Sequence, residues 1–286
     1  MSRRRSLSPE TALALIPGLP RQRQLSAMNG GLSNEVWRVD TPNGRYLLRL
    51  HNPKPAAGID RQAERHSWQL AAAAGLAPEL CYWDREHRFS LCRYLSATPL
   101  QQPEPQAVAA LLAAFHPLPP LTAERRDYAG LARQALAELA GADAQLQQWT
   151  ALADHWQQLV FAAGPQVGLC HHDPTAGNLL CDGERLWLVD FEYACAGAPL
   201  FDLAAAGEWW SAPLRAELLT HYGQLRGLTP SPALDLAYAA GYALHQLLAL
   251  LWWLALPPRV EIADACDRYR RSLLAHLAVY PLLVGG

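Results

Sequence analysis

Residues 169–192, LCHHDPTAGNLLCDGERLWLVDFE, set a carboxylate, an amide and a second carboxylate at a spacing that decides the fold. Asp173 is followed five positions later by Asn178, and Asp190 comes twelve residues beyond that, at the end of an apolar run. Leu179–Leu180 and Leu186–Val189 read as two short buried strands, with Cys181-Asp182-Gly183-Glu184 as the turn between them. Such a hairpin carries Asn178 at its mouth and Asp190 at its exit, so both side chains can reach one metal. Phosphoryl transfer from ATP needs these parts: a carboxylate to orient and deprotonate a hydroxyl, and an amide and a carboxylate to hold Mg²⁺ on the phosphates. The competing reading, a helix-capping Asp and an unrelated hairpin, leaves the triple spacing to coincidence.

Outward from this stretch the chain divides by pattern. Residues 1–20 give a short helix ending near Pro17-Gly18. From Ser26 to about Tyr94 strands and turns dominate, with Glu35–Asp40 and Tyr46–Leu50 flanking the Asn-Gly turn of Thr41-Pro42-Asn43-Gly44. Asp60–Ala74 reads as a helix stopped by Gly75 and Pro78, and Leu80–Trp83 and Phe89–Tyr94 as further strands. After proline-rich linkers around Pro99–Pro105 and Pro117–Pro120, nearly everything outside the 169–192 stretch is Ala/Leu-rich helix. The expectation is an α+β, two-lobed fold: a small β-rich nucleotide-binding lobe over 1–94, and a larger helical lobe over 95–286 carrying the catalytic loop and acceptor pocket.

On the nucleotide side, Gly30-Gly31-Leu32-Ser33-Asn34 offers backbone N–H groups to a phosphate, since glycine removes the Cβ that would block approach. Two strands later comes Arg49. The chain has a single lysine, Lys54, in a proline-flanked turn, so Arg49 is the strand cation available for the phosphates, and its planar fork suits them. Glu64 on the following helix is its candidate partner, against the plainer reading of an exposed helix charge. Tyr94 ends the last strand, where a hinge would present backbone groups to adenine.

Composition removes other classes. A net charge of −2 leaves no basic footprint for nucleic acid. The six cysteines lack C-x-x-C spacing and suit free thiols in the cytoplasm, while Cys170, His171, His172 and Cys181 fit no usual zinc pattern. The start MSRRRSLSPE has no long apolar region before Pro17, so it reads as a solvated tail and not as a signal peptide. Leu236–Leu256 carries no formal charge; with Gly241, His245 and Gln246 inside it, a buried helix is preferred to a membrane span.

Gly30–Asn34, Leu47-Leu48-Arg49-Leu50, Gly75–Leu80, His171–Asn178, Val189–Ala194, Phe201–Ala204 and Glu208-Trp209 together resemble the choline/ethanolamine kinase branch of the aminoglycoside-phosphotransferase-like kinases, with thiamine kinase a close relative. Pro174, Thr175 and Ala198-Pro199 depart from that pattern without removing the base or a metal ligand. The resemblance implies a kinase-like fold, ATP and Mg²⁺, and phosphorylation of a small cationic alcohol. It makes Asp173 the catalytic base, Asn178 and Asp190 the metal ligands, and Gly30, Gly31, Ser33, Asn34 and Arg49 the nucleotide site, to which Glu64 and Tyr94 are added by their positions in the chain. The acceptor's cation calls for aromatic faces and a carboxylate; Glu192, Glu208, Trp209 and Trp252 are the candidates. Asp202 is read as a support of the catalytic loop, and His245 as a satisfied core histidine. Aminoglycosides would demand a markedly acidic helical lobe, yet from Leu203 onward acids and arginines balance. A sugar or aminoglycoside acceptor and a catalytically silent binding module stay as rivals.

Overall fold

A computed structural model describes residues 7–28, 34–53, 59–102, 104–139, 141–164 and 167–284. Gly30, Gly31, Ser33, the Arg3–Arg5 cluster, Lys54 and Pro103 lie outside the described residues. A short helix α1 (Pro9–Ala14), capped by Ser8, precedes an antiparallel sheet. The sheet runs in the order β1 (Gln24–Met28), β2 (Glu35–Thr41), β3 (Gly44–Leu50), β5 (Phe89–Arg93), β4 (Leu80–Trp83). The β2–β3 hairpin closes on the pair Thr41–Gly44, and Gly44 takes φ +130°, a conformation open to glycine. Leu48, Val39, Phe89 and Leu91 bury one face against Leu13 of α1. Helix α2 (Arg61–Ala73) lies between β3 and β4 in sequence, its first turn capped by Asp60, whose carboxylate accepts from Gln62 N (2.8 Å) and Ala63 N (3.3 Å).

The remainder is helical: α3 (Pro105–Phe115), α4 (Tyr128–Glu138), α5 (Ala144–Ala162), α6 (Pro199–Ala206), α7 (Ala212–Arg226), α8 (Pro232–Leu254) and α9 (Val260–Val279). Into it are set two small antiparallel pairings. One joins β7 (Gly168–Cys170) to β10 (Cys195–Gly197); the other lays β6 (Thr98–Pro99) against the hairpin β8 (Leu179–Cys181)–β9 (Leu186–Leu188). Helix α8 contains the uncharged stretch, and 78% of its most apolar window is buried by α4, α5, α6 and α9, so protein neighbours account for its apolarity. A Cβ on Gly241 would stand 3.2 Å from the Leu200 carbonyl oxygen and 3.3 Å from Val160, which is why α6 and α5 come so close here. The two parts of the molecule join through Leu188 N–H, donated to Leu76 O (2.8 Å), and through Trp68 of α2 stacked on Phe191.

Candidate active site

Strand β7 ends in the core, and the chain leaves it through His171 and His172, the latter in the left-handed region at φ 67°. That turn points both backbone N–H groups at the fully buried Asp202 of α6, at 2.6 and 2.8 Å, the support the sequence suggested for this aspartate. The His171 ring then ties two segments together. Its Nδ1 accepts from Asp173 N–H (3.3 Å) and its Nε2 lies 3.0 Å from Val189 O, just before Asp190. Asp190 is itself left-handed at φ 68°. Such strain in non-glycine residues persists where surrounding contacts over-determine it; of the three described residues that show it, His172 and Asp190 belong to this site and His87 to the turn between β4 and β5.

Asn178 donates Nδ2–H to the Asp173 carboxylate (2.8 Å) and to the Asp173 carbonyl (2.9 Å). Burial, followed by the charges of Asp190, Glu208 and Glu192, pushes the Asp173 pKa well above the usual carboxylate value, with the Asn178 hydrogen bond opposing. A carboxylate so placed is a stronger base than one in water.

Arg49 of β3 faces three acids. Its Nη1 donates to Glu64 Oε1 (2.7 Å) and its Nη2 to Glu192 Oε2 (3.0 Å); Nη2 also lies 2.6 Å from Asp190 Oδ1. Burial disfavours the guanidinium charge, but Asp190, Glu64 and Glu192 outweigh it and hold the pKa above the ordinary arginine value. Arg61 joins from the first turn of α2, with Nη1 2.5 Å from Glu64 Oε2 and 3.8 Å from Glu192 Oε2. Asn34 Nδ2 donates to the same Glu192 oxygen at 3.2 Å.

Asn34, Arg49, Asp173, Asn178, Asp190 and Glu192 line one cleft of about 760 Å³, which continues into an apolar half under α4 and the end of α8. There Glu208 is buried, and its Oε2 receives Tyr269 O–H (2.8 Å) and meets His245 Nε2 (2.9 Å). Trp252 and Trp253 line this half edge to face, with ring centroids 5.1 Å apart.

Several sequence-based assignments shift. Glu192, placed with the acceptor, engages Arg49 and Asn34 on the nucleotide side, because the chain after Asp190 turns back toward β3. Trp209 is 46% exposed and packs on Tyr269 and under Arg268, outside the cleft lining. Tyr94 gives its N–H to Arg45 O (3.1 Å) and its ring to the Arg45 guanidinium, so that donor is spent within the sheet, and the residue is not in the cleft lining. His245 is satisfied, as read, but it sits in the cleft wall as the partner of Glu208. Trp253 lines the cleft beside Trp252, because the cleft wraps the final turn of α8. Tyr269, Trp253 and Arg126 carry no motif; a lone His inside an apolar helix was the one available signal.

The donor set suits a hard divalent cation. With its Nδ2 hydrogens turned to Asp173, Asn178 leaves its amide oxygen without a protein donor among the described residues, and buried Asp190 Oδ1 makes no hydrogen bond of good geometry, its one neighbour being the ion-paired Arg49 Nη2 at 2.6 Å. Two oxygens of this kind match the coordination preference of Mg²⁺.

A model of the phosphotransferase enzyme family matches residues 24–244. The choline/ethanolamine kinase of Rattus norvegicus is 28% identical over 215 residues, covering 64% of this chain and 54% of that protein. The chain spans little more than half the length of the curated relatives it matches. Among solved structures, a choline/ethanolamine kinase family protein from Mesorhizobium loti superposes with a TM-score of 0.72 at 24% identity, covering 97% of this chain and 94% of that one. LicA in complex with AMP superposes at 0.70 and 18% identity, covering 90% and 94%. At these identities the likeness is one of fold.

Proposed function

We propose that this chain, a member of the phosphotransferase enzyme family, transfers the γ-phosphoryl group of ATP to the hydroxyl of a small alcohol bearing a cationic nitrogen, of the choline, ethanolamine or thiamine kind. The observation that carries this reading is a single cleft with Asp173, Asn178 and Asp190 at one end and a buried, aromatic-walled Glu208 at the other. Relatives named choline/ethanolamine kinase and a neighbour holding AMP support it.

Asp173 accepts the hydroxyl proton as the alcohol oxygen forms its bond to the γ-phosphorus; the bond to the β-phosphate oxygen breaks and ADP leaves. Arg49, held by Glu64 and Glu192, presents charge to the phosphates. Asn178 and Asp190 would hold Mg²⁺, which when bound neutralises phosphate charge. Glu208, set by His245 and Tyr269, attracts the ammonium, and Trp252 and Trp253 offer it ring faces.

The test is ATP consumption by purified protein against choline, ethanolamine, thiamine, amino sugars and aminoglycosides, with Mg²⁺ and with chelator. A cationic small alcohol should be the preferred acceptor, and chelation should abolish turnover reversibly. Preference for an aminoglycoside, or no consumption with any acceptor, would reject the reading.

A further inference from the structure

Two arginines stand in the cleft wall, and they differ in one respect. Arg49 meets three carboxylates. Arg126, just before α4 and next to the loop that bears Asp173, has no carboxylate within 4.0 Å among the described residues. Its backbone N–H goes to Ala196 O (2.9 Å). Its Nη1 reaches Tyr193 O at 3.3 Å and Cys195 Sγ at 3.8 Å, and the guanidinium carbon lies 5.5 Å from the centre of the Tyr193 ring. Nε and Nη2 make no hydrogen bond to a described residue. The nearest acid on α4 that lines the cleft, Glu138, is occupied by Gln134 (3.1 Å).

We infer that Arg126 is an anion-binding subsite of the acceptor half, so that the acceptor class is a zwitterionic hydroxy-amine carrying an acid group beside its ammonium. The inference rests on the phosphotransferase reading and modifies its acceptor, adding to the cationic alcohol an acid group that choline, ethanolamine and thiamine lack. A bare cation drawn to Glu208 would share its pocket with an unneutralised guanidinium, which opposes binding. An acceptor carboxylate reverses that sign, and a guanidinium with two free donors is built to take a carboxylate in a fork. The neutral state of His172, which lines the same cleft, is in keeping: after burial, the Arg126 charge is the next cause that lowers its pKa, to about 3.

The test uses matched pairs differing by one carboxylate: serine against ethanolamine, and homoserine against 3-aminopropan-1-ol. Affinity is read calorimetrically on the full chain with a non-hydrolysable ATP analogue present, and ATP consumption is followed in parallel. At least one acid-bearing partner should bind tenfold or more tightly than its counterpart. Arg126→Gln should erase that difference while leaving the plain amine's affinity unchanged or improved, and Arg126→Lys should retain part of it. Equal affinities within each pair, no binding by any of the four, or a loss in Arg126→Gln that falls on the nucleotide or on all acceptors alike would overturn the inference; the last result would assign Arg126 to the phosphoryl group. Because binding is read without turnover, an inactive protein that still prefers the acid-bearing partner would sink the kinase reading and leave the subsite standing.

Discussion

Asp173 sits where its charge is disfavoured, and that displays function as a cost to folding. Its folded pKa is raised, by burial first and by Asp190, Glu208 and Glu192 next. The ionised form is therefore penalised above the unfolded carboxylate pKa, and the penalty lifts as pH falls. Asp173→Asn should accordingly lose on the order of 10²-fold or more in turnover while gaining melting temperature at pH 8, a gain that shrinks toward pH 4. A variant that is less stable than wild type at pH 8 would contradict this account. Arg49 gives the opposite case. Arg49→Ala leaves the fully buried Glu64 and Glu192 with Arg61 as their remaining cation, and removing one member of a buried ion pair costs at most about 3–5 kcal/mol; denaturant unfolding should show a loss up to that order, larger than for Arg49→Lys. At this scale the sequence was legible wherever chemistry fixes a spacing: Asp173, Asn178 and Asp190, and Arg49 with Glu64. Arg126, just before α4, and Tyr269 of α9 reach the same cleft from distant segments, with no constraint on the residues between, so no pattern announces them; His245 stood out only as a lone histidine inside an apolar helix.

Helix α2 shows how an element carries a site. Its role is to place Glu64 against Arg49, and its first turn hangs on the Asp60 carboxylate. Asp60→Ala should cost about 1 kcal/mol, the usual worth of a helix N-cap, and should raise KM for ATP more than KM for the acceptor, read by steady-state kinetics. An unchanged KM for ATP would separate the cap from the site. This helix and the β2–β3 hairpin were readable because Gly75, Pro78 and Asn43-Gly44 punctuate them. Strands β6, β7 and β10 were not: at two or three residues each, they are too short to show alternation. Their pairing is imposed by the loop they enclose. The uncharged run at 236–256 was ambiguous on composition alone, and the contacts of α8 with four helices resolve it.

Over the whole molecule, four buried imidazoles among the described residues are held neutral, and each is an acid liability: His171, lowered first by burial, and three with larger shifts. Burial is the first cause in all three: His51 beside β5 falls to about 3, His172 beneath the cleft to about 3, and His276 of α9 to about 4. His276 Nε2 meets Ala239 O at 2.8 Å, and His51 sits between His87 O and Ser90 Oγ. Their ordinary value is 6.5, so below it the unfolded chain binds protons that the folded chain refuses. Stability that is complete above pH 6.5 is then lost as pH falls toward 4, at a limiting slope of about 1.4 kcal/mol per pH unit for each histidine. Asp173 and Glu192 act in the other sense, since their raised values let the folded state take up protons earlier. Two such groups cannot cancel four, so the net effect is loss. Urea midpoints at pH 7.5, 6 and 5 should fall in that order, and the decline should steepen in Asp173→Asn, where one opposing group is gone. It should flatten in His276→Gln, which keeps a donor for the Ala239 carbonyl and removes one titrating ring; midpoints that stay level from pH 7.5 to 5 in all three proteins would show that these rings do not stay neutral in the fold.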